Sequence, residues 1–174
     1  MNVFLLILLR LIHVVAGALW IGAAVFYLFF LKPSVKSIGP AGPQFMQNLV
    51  KRRKSPVFML SVSLLTVLAG GVLYFYTSKG FFLAWLQSGP GIGFTIGSLA
   101  ALVAFLVGGM GISPTSARMG AMGEQMAKAG GPPAPEQLQE MHALEAKLNV
   151  FEIVDFAMLA LSMLTMATAR YWVF

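Results

Sequence analysis

Residues 3–31 read VFLLILLRLIHVVAGALWIGAAVFYLFFL, an unbroken apolar run with Arg10 and His13 as its only basic side chains and no acidic one. A membrane-crossing helix needs about 20 mostly apolar residues. Inside lipid an open strand edge would leave backbone N–H and C=O groups unpaired, so the run must be helical. Three more runs qualify, at 56–76, 91–112 and 150–173. The first is long for a single crossing and is expected to tilt or to project. Four crossings joined by short connections predict one transmembrane domain over 1–174, an all-α integral membrane four-helix up-down bundle.

Composition agrees. Hydrophobic residues make up 58% and charged residues 10% of the 174 positions, against about 45–50% and about 25% in soluble domains. With no cysteine, disulfides, thiolate metal sites and cysteine nucleophiles are excluded. The N-terminus lacks a basic region and a cleavage site, so it reads as a retained helix rather than a signal peptide. Nothing resembles a phosphate loop, a zinc motif, a nucleophile elbow or paired catalytic carboxylates, and no independent catalytic activity is expected.

Charge sets the expected orientation. The net charge is +6, and the connection 32–55 carries Lys32, Lys36, Lys51, Arg52, Arg53 and Lys54 with no acidic residue. Beside a membrane span this reads as topology and headgroup contact, not as a nucleic-acid surface. It places 32–55 in the cytoplasm, 77–90 outside, 113–149 inside and both termini outside. In 77–90, Phe81, Phe82 and Trp85 suit headgroup depth. The segment 113–149 reads as two helical pieces around a Gly-Gly-Pro-Pro break. The second is amphipathic, with Leu138, Met141, Leu144 and Leu148 on one face, and can run directly into the fourth span.

Ionisable residues in or near hydrocarbon cost roughly 2.5–3.5 kcal/mol each at a helix centre and are functional candidates by default. Here they are Arg10, His13, Glu152, Asp155 and Arg170. At 1.5 Å per residue, His13 lies about 27 Å from the cytoplasmic end of its helix, in the outer part of the membrane. Arg10 can snorkel to the outer interface, and Arg170 lies at a similar level. Two arginines above a histidine suit an acidic ligand such as haem propionates. His13, Gly17, Trp20 and Ala24 share one face, so Gly17 would leave space for a porphyrin and Trp20 would close it. The plainer reading is an anchoring arginine and a histidine bonded to a neighbouring helix.

His142 falls at the opposite membrane surface and cannot share one haem with His13 in the same chain. Glu152 and Asp155, three residues apart, want a cationic partner; Arg118 is the first choice and Arg53 or Lys32 the next. A structural ion pair and a step in a proton relay are both open. Glycines 89, 93 and 97 form a small-residue series suited to close helix packing or to a flat cofactor. Met110, Met158, Met163 and Met166 are either core filler or soft copper(I) ligands.

The opening LIHVVAGALWIGAAVFYLFFLKPSV resembles the start of CopD-type bacterial membrane proteins and of HemJ-type protoporphyrinogen oxidases, another four-helix bundle. The end, LNVFEIVDFAMLALSMLTMATARYWVF, resembles the last helix of small CopD-like proteins. The resemblance implies a haem- or copper-associated bundle of the bacterial cytoplasmic membrane. His13 matches the first-helix histidine implicated in haem binding in the HemJ type. That type also has a lysine in its third helix, and 91–112 contains none. The expectation is a multi-pass protein that binds haem b through His13 and serves electron transfer or haem handling. The alternatives are a non-catalytic accessory subunit of a larger respiratory or photosynthetic membrane complex, holding pigment, lipid or neighbouring helices and associating with other membrane subunits or with itself, and a copper transporter.

Overall fold

The computed structural model describes residues 2–39, 41–129 and 131–173. Four helices are long and apolar enough to cross a membrane: α1 (Val3–Ser37), α2 (Ser55–Thr77), α3 (Gly89–Ala129) and α4 (Pro135–Tyr171). No strand occurs among the described residues. This is a helical membrane protein, and a lipid bilayer is its environment.

Side-chain contacts fix how neighbours run. His13 and Gly17 of α1 meet Gly70 and Thr66 of α2. Gly93, Gly97 and Gly111 of α3 meet Ala169, Met166 and Phe151 of α4. Phe29 of α1 stacks edge-on against Phe156 of α4 at 5.2 Å. In the first two pairs one number rises as the other falls, and Lys32 with Glu152 does the same for Phe29 with Phe156, so these neighbours are antiparallel. The helices meet at a small core in which Ala16 and Trp20 pack against Val62, Ala104 and Leu159, one or two residues from each helix.

The helices extend beyond the spans read from sequence. α1 passes through Pro33 to Ser37, and α3 passes through Pro114 to Ala129. A proline inside a helix lacks the N–H and clashes with the carbonyl four residues back. Both helices relieve this with a wide π turn just ahead of the proline, Tyr27–Leu31 and Val107–Ile112. The extra residue in each turn rotates the helix beyond it. The basic segment 32–55 is accordingly mostly helical, continuing through Ala41–Gln47 and a third π turn, Asn48–Arg52. Its Lys51 pairs with Glu124 of α3, and Arg118 of α3 pairs with Glu140 of α4.

Local caps and turns close the other end. Asn2 accepts from the Phe4 amide at 3.0 Å, and Ser88 accepts from the Gly91 amide at 3.2 Å. These side-chain oxygens satisfy helix-start donors that have no partner within the helix. The α2–α3 turn holds Lys79, Gly80 and Phe81 at positive φ, where only glycine is free of strain. Tyr74, Trp85 and Phe94 make ring contacts over this turn. The Tyr74 hydroxyl lies 2.5 Å from that of Thr95. Tyr74→Phe is expected to cost about 0.6 kcal/mol, the average for an interhelical hydrogen bond in a membrane protein. Unfolding in mixed micelles measures it, and a change above about 2 kcal/mol would contradict that assignment.

Candidate functional site

His13 is held by α2. Its Nδ1 lies 2.8 Å from the Thr66 carbonyl oxygen. A carbonyl only accepts, so Nδ1 carries the proton and Nε2 carries the lone pair. The ring sits where Gly70 has no side chain: a Cβ there would lie 2.7 Å from Cε1 and 2.8 Å from Nδ1. The pairing of His13 with Gly70 is invisible in either run alone. A metal-binding histidine has the same arrangement, one nitrogen donating to a backbone oxygen and the other left to bind.

The residues around His13 are placed differently from the sequence reading. Gly17 clears no slot for a flat ring, because a Cβ there would meet Thr66 Cγ2 at an ordinary 3.4 Å. Trp20 is 4% exposed within the four-helix core and closes nothing over the imidazole. Arg10 lines an open groove of about 650 Å³ with Lys79, Phe75 and Tyr76. Arg170, at the end of α4, is exposed and does not line that groove. Beside Arg10 the groove's other cation is Lys79, not Arg170. The groove with its two cations is not lined by His13; for a haem, the donor alone fits, with Nε2 free. An enclosed slot against Gly17 and Trp20 does not. His142 is exposed at the far end of the fold.

A second polar locus lies between the two π turns. Glu152 and Asp155 are each 6% exposed on α4. The Lys32 ammonium reaches Glu152 and also donates to Asn149 at 3.0 Å. Tyr27, in the α1 π turn, hydrogen-bonds the same carboxylate. Arg118 is not the partner expected of this pair; it is taken by Glu140. Side chains lean toward the N-terminus of their own helix. In antiparallel α1 and α4, Lys32 and Glu152 thus lean toward each other. Asp155 is left out: its Oδ1 is buried without a hydrogen-bond partner.

The interior hydroxyls do not link these loci. Ser63, Thr66 and Thr165 donate to carbonyls of their own helices, and the core of Trp20, Val62 and Leu159 lies between. The methionines are spread out. Met158 packs on the core, Met166 accepts from Ser162, and Met110 and Met163 are exposed. No group of three or more His, Cys, Asp or Glu side chains suited to a metal ion occurs among the described residues. No protein-family model, curated protein or solved structure matches the chain.

Proposed function

We propose that this chain is a multi-pass protein of the bacterial cytoplasmic membrane that holds a b-type haem through His13 and serves electron transfer or haem handling. The basic segment around Lys51–Lys54 would lie in the cytoplasm and both termini outside, as the positive-inside rule requires. One observation carries the reading: the Nδ1–H of His13 is fixed on the Thr66 carbonyl, which leaves Nε2 as the ligand atom. Arg10, one turn along the helix from His13, and Lys79, its neighbour in the open groove, would supply positive charge for carboxylates. The resemblance of the 11–35 segment to the CopD and HemJ types points the same way.

A bound haem would supply one-electron chemistry. The chain's own part is to orient the imidazole, through Thr66 and the Gly70 notch, and to keep the interior dry with Trp20. The absorption spectrum of the detergent-purified chain tests the proposal. A Soret band that disappears in His13→Ala supports it; a colourless wild-type protein sinks it.

The second reading, a non-catalytic accessory subunit of a larger membrane complex, draws on one observation. Only 11% of the apolar window of α1 is buried, against 28% for α3 and α4. The helix that carries His13 is the one left most open to a neighbouring chain. Large co-purifying partners with no chromophore would favour this reading.

A further inference from the structure

We propose that Asp155 is the centre of a buried site for one small monovalent cation, a proton or a sodium ion, set between the π turns of α1 and α3. The site is independent of any haem at His13.

The charges within the pocket do not cancel. Lys32 meets Glu152, and Tyr27 and Asn149 complete that exchange. Asp155, one turn further along α4, is 6% exposed, and its Oδ1 has no donor. A buried carboxylate without a hydrogen-bonded or ionic partner costs several kcal/mol in a low-dielectric interior. Native proteins rarely leave such a group unmatched. The titratable groups of the pocket are Glu152 on α4 and Lys32 and Tyr27 on α1. The adjoining α3 stretch Val107–Ile112 contributes none. One ammonium therefore faces two carboxylates, and one positive charge is missing.

The missing charge has a place to bind. Oδ1 lies toward Gly108, where a Cβ would be 3.9 Å away. Gly108 belongs to the π turn Val107–Ile112, which runs VGGMGI. Pro114 comes next but one and has no N–H to give, and the Gly108 carbonyl accepts from the Ser113 amide. Carboxylate oxygen is a donor that hard cations take, and Oδ1 is the one shown without a partner. Single π turns within α-helices are frequent at functional sites. The hydroxyl ladder is closed on itself and the core beyond is apolar. The cation thus enters and leaves from the Lys32 end and does not cross the bundle.

Thermal unfolding of the full chain in detergent tests this at constant ionic strength. In one arm sodium chloride replaces choline chloride at fixed pH; in the other, pH varies from 5 to 9 in choline chloride. A sodium site predicts a midpoint that rises with sodium. A proton site predicts one that rises with acidity and ignores sodium. In either case Asp155→Asn, which keeps the shape and removes the charge, abolishes the response. If the variant does not fold, equilibrium dialysis of wild-type protein with radioactive sodium and a pH-jump count of protons taken up replace it, and one sodium per chain, or one proton per chain beyond those that His13→Ala and His142→Ala remove, is expected. A wild-type protein indifferent to both arms, or a full response in Asp155→Asn, overturns the proposal.

Discussion

Gly97→Leu separates α3 from α4. A Cβ at Gly97 would lie 2.6 Å from Met166 Cγ, 2.8 Å from Thr165 Oγ1 and 3.2 Å from the Ser162 carbonyl oxygen. The Met166 chain can swing away, but the Ser162 carbonyl moves only with α4 itself. Helix association in lipid depends on close backbone approach at small residues, since burial from water no longer drives it. Overpacking costs about 1–3 kcal/mol and sometimes more. Leucine adds three carbons beyond a first one that already overlaps, so a loss of about 3 kcal/mol or more is expected. Gly71→Leu is the control, because nothing lies within 4 Å of a Cβ there. Denaturant titration in mixed micelles should find the first variant largely unfolded and the second near wild type. Equal losses would contradict the packing described.

Lys32→Met is the other large effect. Among the described residues it removes the one cation that meets Glu152, whose side chain is 5% exposed. Breaking a buried pair from one side costs about 3–5 kcal/mol, because it strands the remaining charge. Lys32 is itself 35% exposed, so water softens the loss, and about 3 kcal/mol is expected. Lys32→Met with Glu152→Gln should recover most of it, since neutralising both partners leaves no charge stranded. A double-mutant cycle reads the coupling directly. A loss no greater than that of Lys36→Met, exposed one turn further along α1, would show that the Lys32 contact contributes nothing.

The four helices were legible because an apolar run of bilayer length has no other stable form in lipid. Their ends were not. The spans read from sequence end at 31 and 112, yet both helices continue through Pro33 and Pro114 by widening into π turns. Those turns also hid the partner of Glu152. An extra residue in Tyr27–Leu31 brings Lys32 toward the face that Trp20 and Ala24 hold, and spacing at 3.6 residues per turn does not show it. Arg118 looked nearer in sequence, but it lies in a helical extension beyond the span, where Glu140 takes it.

At His13 the sequence marked the residue and missed its surroundings. Gly17 shares its face, but an imidazole leans toward the helix start, away from Gly17. The glycine that receives it is Gly70 on α2, and only a packed pair of helices could bring those two together. The orphaned Asp155 oxygen was equally out of reach, because the spacing of Glu152 and Asp155 says that they are neighbours and not which of them is paired.

Haem b titration into the purified chain tests the role of His13 most directly, monitored by growth of the Soret band. The account predicts saturation at one haem per chain for wild type and for His142→Ala. For His13→Ala it predicts binding weaker by at least about tenfold, a difference of about 1.4 kcal/mol. Equal binding by wild type and His13→Ala, or none by wild type, would contradict it.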